Sequence, residues 1–293
     1  MKKEYACTII KNAVEKTRPT WTGFDESWDN TEKVFICRAY DQMGFDDWIF
    51  VDFLEKYDIY SIEKIGRILY NTNYDKKYSR DFAGSLESQL YQNMKNGIYG
   101  AEGKSFYLSV KEFNGRKGAA YYRLLWYMLV SCKYLKENYD ASFSNYIKNQ
   151  YAQYKGLNHV DDKKFQNISV NEWEDFKEKQ KPWNEIYGVV INVFDYIMGD
   201  IVDLKFVNES YKLDSANERF LKTTGIINKS QMNHENVKKY LLSLNLPYSL
   251  REINKGLYCY TSELGKDNYG YCRTPKKCES CSVNDICEKK FDG

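Results

Sequence analysis

The sequence predicts an all-α protein, and three observations carry that prediction. Apolar residues recur every three or four positions through several long stretches, the period of a helix face. No alternation of apolar and polar residues lasts long enough to build a sheet. Only four prolines and 17 glycines interrupt 293 residues, too few for a turn-rich β sandwich or long disordered linkers.

The elements follow in order. "TEKVFICRAYDQMGFDDWIFVDFLEKY" (31–57) repeats apolar residues at helical spacing, interrupted at Gly44. "SIEKIGRILYN" opens with a serine cap and continues the same period. "GAAYYRLLWYMLVSCKYLKENYD" (118–140) is a long helix with an apolar face and a basic end. Residues 145–182 are polar and charged, and read as a surface excursion between two core helices. "PWNEIYGVVINVFDYIMGD" (182–200) reads as a helix with proline in its first turn and a stop at Gly199. "DSANERFLKTTGI" and "NHENVKKYLLSLN" are two further helices, each with a good N-terminal cap. There is no internal repeat.

Composition bounds the function. A formal net charge of +2 rules out a polycationic surface, so any attraction to nucleic acid has to come from local patches. The N-terminal stretch lacks the apolar run of a signal peptide. "LLWYMLVSC" and "IYGVVINVF" are about half as long as a bilayer requires. The expectation is a cytoplasmic protein with no membrane partner. Tyrosine is abundant, at 27 residues; some rings could stack on bases, but aromatics more commonly serve packing.

Four of the eight cysteines fall within the sixteen residues "CRTPKKCESCSVNDIC", spaced C-x5-C-x2-C-x5-C. Disulfides are disfavoured by the size of the chain and by the lone cysteines elsewhere. Thiolates that converge bind metals, and a C-x2-C step supplies two ligands from one turn of backbone. Zinc sites usually pair two such knuckles, whereas this stretch has one; spacing alone leaves zinc and an iron–sulfur cluster both open.

The residues upstream and around this tail resemble the endonuclease III and MutY branch of the helix-hairpin-helix DNA glycosylases. That family carries a C-x6-C-x2-C-x5-C loop; here the first gap is five, the others agree, and the first gap holds basic residues and a proline. The resemblance implies a [4Fe-4S] cluster on Cys272, Cys278, Cys281 and Cys287. "LDSANERFLKTTGI" is similar to the segment that bears the family's catalytic aspartate, with an arginine five positions on; Asp214 and Arg219 reproduce that pair. "NHENVKKYLLSL" and "LREINKGLYCYTSELGKDNYGYC" match the helices that lead into the cluster. Asp214 also has an ordinary explanation as a helix N-cap, and both can hold at once. Arg219 reads as structural, bracing the loop or helix by ion pairs.

The fold implied is a pair of helical subdomains with a cleft between them. A helical barrel would span 31–198, with an insertion at 145–182 and a degenerate hairpin at 183–189; residues 1–30 and 199–293 would form the catalytic-aspartate and cluster domain. The family's L-P-G-[IV]-G-x-K-T-A hairpin is eroded to Ile186, Tyr187, Gly188 and Val189. Its second glycine is missing, as is the lysine that bifunctional members use as nucleophile. That implies a monofunctional, water-driven reaction and a weakened grip on phosphate.

The resemblance places DNA contacts at Gly188 and at Arg273, Lys276 and Lys277 of the cysteine loop, with Arg116 and Lys117 at a helix start as a further anion site. Solvated surface lysines are the plainer account of Arg116 and Lys117. A flipped base needs a pocket. Asp41 and Gln42 are polar residues in an otherwise apolar helix, and with Tyr187 they are the pocket candidates; they could equally face solvent at the helix end before Gly44. Tyr40, Trp48 and Trp183 are weaker stacking candidates that suit a core as well.

The function implied is a monomeric DNA glycosylase acting on duplex DNA with a flipped base. It would hydrolyse the N-glycosidic bond of a damaged or modified base, with Asp214 stabilising the oxocarbenium-like centre and positioning water. Divergent branches are linked to hypermodified phage bases, in their synthesis or in phage defence. A base-hypermodifying transferase or pyrophosphorylase-like enzyme on the same scaffold is one alternative, and a non-catalytic iron–sulfur DNA-binding protein is another.

Overall fold

A computed structural model of the chain describes residues 1–21, 27–40, 49–70, 72, 77–113, 119–263 and 269–291. Among the described residues there are sixteen α-helices and no β-strand, so the protein is all-α. No described helix is long and apolar enough to cross a membrane. The chain divides into two compact units, Met1–Asp25 with Met198–Gly293, and Glu26–Ile197.

The first unit is built on the pairing of the Lys3–Thr17 and Leu250–Thr261 helices. Ile9, Ile10, Ala13 and Val14 on one meet Ile253, Leu257 and Tyr260 on the other, the i, i+3, i+4 spacing that gives a helix a single buried stripe. Gly256 permits the close crossing: a Cβ there would stand 2.9 Å from the Val14 Cα. A full capping box, Ser249 with Glu252, fixes the start of the Leu250–Thr261 helix. The Ser215–Thr223 and His234–Ser243 helices close the core with Phe220, Leu221, Val237 and Leu241.

In the second unit the Ile62–Ile68 helix runs along the Ala119–Tyr139 helix, and Ile49–Lys56 packs on Gly100–Phe113. Ser61 caps its helix by accepting from the Lys64 N–H, as its position in the sequence predicts. Two readings need correction. Residues 145–182 are not a surface excursion. They lie largely in the helices Phe143–Lys155, Asp162–Phe165 and Val170–Gln180, with Tyr146, Tyr151, Phe165, Trp173 and Phe176 all fully buried. The polar majority occupies the outer faces, and the few aromatics at helical spacing make the inner one. Trp173 also stacks on Phe194, and Lys177 forms a buried ion pair with Asp195 at 2.6 Å. The second correction concerns 182–200. The helix starts at Ile191, not at Pro182, because Gly188 takes a positive φ of 76° that interrupts the stretch before it.

Candidate thiol cavity and carboxylate

Asp214 stands at the N-terminus of the Ser215–Thr223 helix with extended backbone angles. Its Oδ1 accepts from the backbone N–H groups of Ala216 and Asn217 and from Asn217 Nδ2, at 2.8–3.1 Å. Every hydrogen bond made to this side chain by the described residues falls on Oδ1. Oδ2 is left to face other groups, and the residue is half-buried.

Behind the carboxylate lies a set of buried polar groups. Asn217, fully buried, accepts from the Tyr211 hydroxyl at 2.7 Å and donates to the Asn254 carbonyl at 3.3 Å. Asn254 in turn donates to the Lys212 carbonyl at 2.7 Å, which fixes the backbone leading into Asp214. Arg251 holds Asn254 Oδ1 at 3.0 Å, donates to the Gly199 carbonyl and pairs with buried Asp200. Burial, and then the charge of Asp214, push the Tyr211 phenol well above its ordinary value, so it remains a hydrogen-bond donor.

The same helix leads at its other end to the cysteines. Thr223 and Thr224 line a cavity together with Cys272, Cys278, Cys281 and Cys287, and Ile9, Phe220, Tyr260, Tyr271, Val283 and Asn284 complete the wall. The cavity is small, about 10 Å³. The tail is stitched to the helix end by backbone bonds from Glu288 to Thr224 and from Lys290 to Thr223. Cys272 takes a left-handed φ of 62°, turning its sulfur inward, and is 8% exposed.

These four are the residues that could hold a thiolate-bound metal group. A single tetrahedral ion would draw its thiolates to within about 3.8 Å of one another, from a Zn–S bond of about 2.3 Å. Among the described residues no group of His, Cys, Asp or Glu is gathered as one metal ion requires. All four cysteines do line the one cavity. Burial pushes the Cys272 thiol up, as do the charges of the other three cysteines, while Arg219 acts in the opposite sense. Burial likewise raises Cys278 and Cys287. Arg219 therefore differs from its expected role: it makes no ion pair with a described residue, and its charge bears on the Cys272 thiol.

The other site residues are dispersed. Tyr187 and Gly188 form the corner before the Ile191–Gly199 helix. The Tyr187 N–H donates to Ser131 Oγ at 2.9 Å and its carbonyl accepts from the Tyr40 hydroxyl at 3.0 Å. Gly188 is exposed at φ 76°, where a Cβ would meet the Tyr127 ring at 2.7 Å. Tyr40 is core, 2% exposed, and offers no free ring face of the kind base stacking uses; Trp183 is half-buried and packs against Phe194, ring centroids 5.8 Å apart. Arg273 donates to the Thr261 carbonyl at 2.9 Å and reaches Glu263, and Lys277 donates to the Tyr269 carbonyl at 3.1 Å, so both brace the loop they sit on. Lys276 is exposed, and its side chain bonds to no described residue. Asp41, Gln42, Trp48, Arg116 and Lys117 lie outside the described residues.

Sequence reasoning missed Asn217, Tyr211, Asn254 and Tyr260. Asn217 alone had a signal, since it lies one helical turn after Asp214. In comparisons with family models, curated proteins and solved structures, the chain matched none. What fold and site define is an all-helical protein whose four-thiol cavity and half-buried capping carboxylate sit at opposite ends of one short helix.

Proposed function

We propose that the protein is a monofunctional DNA glycosylase that removes a damaged or modified base and carries a [4Fe-4S] cluster on Cys272, Cys278, Cys281 and Cys287. The observation that carries this reading is the Ser215–Thr223 helix. It has a carboxylate with one oxygen pinned at its start and a ring of thiols at its end, roughly 13 Å apart at 1.5 Å per residue over nine residues. The donor set suits a cluster: thiols without histidine or carboxylate, in a wall otherwise largely apolar and aromatic. When bound, the cluster supplies a covalent cross-link of the tail and a redox-active iron centre.

The reaction itself falls to protein groups. As the base departs, positive charge builds on the sugar, and a fixed anion facing it lowers the barrier. Asp214 Oδ2 is that anion. Its orientation comes from the three N–H donors on Oδ1, so no reorganisation is needed during reaction. The same oxygen accepts a hydrogen bond from the attacking water and directs it to the sugar carbon. No lysine stands at the hairpin position that forms a Schiff base in bifunctional relatives of this family, so water is the nucleophile. Lys276 and the backbone around Gly188 are the groups available to DNA phosphates.

The test is incubation with duplexes bearing a panel of modified bases, including phage-type hypermodified ones, followed by alkali to cleave abasic sites. Strand cleavage with one class of base supports the reading. No cleavage across the panel, or nucleoside mass spectra showing a substituted base in place of an abasic site, overturns it.

A further inference from the structure

Tyr260 sits at the wall of the thiol cavity, 1% exposed, with its hydroxyl 3.0 Å from Cys281 Sγ. Which of the two donates is decided by what lies behind the ring. The Ser282 hydroxyl bonds Asn12 Oδ1 at 2.6 Å, and Asn12 Nδ2 bonds the Tyr260 hydroxyl at 3.1 Å. An amide nitrogen can only donate and an amide oxygen only accept. With the amide so oriented, Asn12 occupies a lone pair of the tyrosine oxygen, and because a metal-bound thiolate carries no proton, the tyrosine proton is the one left to point at sulfur. The ring itself is clamped by stacking on Tyr271, with centroids 4.6 Å apart, and by an edge contact with Phe220 at 5.8 Å.

Neither Tyr260 nor Asn12 is needed to ligate metal or to fill Asp214's role. A buried phenol aimed at one ligand sulfur has a specific consequence. A thiolate bound to iron carries more negative charge when the metal centre is reduced, so a hydrogen bond to it favours the reduced form.

We propose that Tyr260 is a positioning residue that donates to Cys281 and raises the reduction potential of the group bound there, with Asn12 and Ser282 setting the direction of its proton. This rests on the reading of the cysteines as cluster ligands. Removing the donor lowers the potential; reversing the relay does the same while the hydroxyl stays in place. Asn12→Asp makes that reversal, because a carboxylate accepts the tyrosine proton and draws it away from sulfur.

The experiment uses full-length protein purified anaerobically with its iron, and compares wild type, Tyr260→Phe and Asn12→Asp. Iron content and visible absorbance are measured first, then the one-electron midpoint potential by voltammetry. Both variants are expected to keep wild-type iron content and spectrum. At a fixed applied potential, their ratio of reduced to oxidised centre should fall about tenfold, a shift of about 59 mV to lower potential. Wild-type potentials in both iron-loaded variants overturn the proposal. So does a shift in Tyr260→Phe with none in Asn12→Asp, which would mean that the ring's packing and not its proton matters. Should Tyr260→Phe fail to fold, Asn12→Asp alone decides. A wild-type protein without iron is a separate outcome: it overturns the cluster reading itself, and this inference with it.

Discussion

Asparagine caps a helix about as well as aspartate does, so Asp214→Asn separates the two roles of this side chain. The cap survives, since an amide oxygen can take the three N–H bonds that Oδ1 now accepts. The anion does not. Thermal stability and DNA binding should stay at wild-type levels while base release falls by about 100-fold or more, the scale of losing one preorganised electrostatic group. Unchanged release would remove Asp214 from the chemistry. Asn217→Leu tests the support behind it: the buried Tyr211 hydroxyl would lose its acceptor and Asp214 a donor. Leaving a buried polar group unpaired costs about 1–3 kcal/mol, readable as a lower midpoint in urea unfolding. At this scale the sequence singled out Asp214 as a helix cap and the four cysteines as close neighbours, because both are carried by residue type and local spacing. It could not show Tyr260 or Asn12, which are 248 positions apart.

Among the elements, the segment 145–182 is the one that composition misrepresents. Helices are judged by their inner face, and Tyr146, Ile147 and Tyr151, then Trp173 and Phe176, mark two such faces at helical spacing. A high proportion of lysine, glutamate and asparagine in between obscured them. Lys177 is a measure of how far inside this segment lies. Burial alone would lower its ammonium pKa, but the Asp195 and Glu174 carboxylates outweigh that and hold it above its ordinary value. A raised folded value stabilises fully below the unfolded pKa of about 10.4 and is lost as pH rises through the folded one. Unfolding free energy should therefore drop on the alkaline side, and the drop should be smaller in Lys177→Met. At neutral pH that variant takes the Lys177 ammonium away from buried Asp195, a loss of about 3–5 kcal/mol, and Lys177→Met with Asp195→Leu together should recover much of it. Equal denaturation midpoints for wild type and Lys177→Met would show the pair to be inconsequential.

For the whole molecule, the expected consequence of a cluster is a division of stability between the two units. The thiol cavity is walled by residues of the Lys3–Thr17, Ser215–Thr223 and Leu250–Thr261 helices and the cysteine tail, all in one unit. Metal binding to such a site is folding free energy for the elements it ties together. Protein purified anaerobically should absorb at about 400 nm with about four irons per chain. Stripping the iron, or the substitution Cys281→Ser, should speed hydrogen exchange of amides in 215–223 and 250–261 while those in 119–139 stay protected. Uniform loosening of both units, or none, would contradict that division. The all-helical class and the caps Ser61, Asp214 and Asn233 were legible at this scale, since periodicity and capping are local properties.

By itself the sequence determined that the protein is all-helical, which carboxylate begins a helix and which four thiols lie close along the chain. All of these are set by neighbours within a few positions. Tertiary structure decided that a polar stretch has an aromatic core, that a helix begins at Ile191 and not Pro182, and that an asparagine of the first helix orients a tyrosine of the Leu250–Thr261 helix toward sulfur. Those depend on contacts between residues far apart in the chain, whose partners no local pattern specifies.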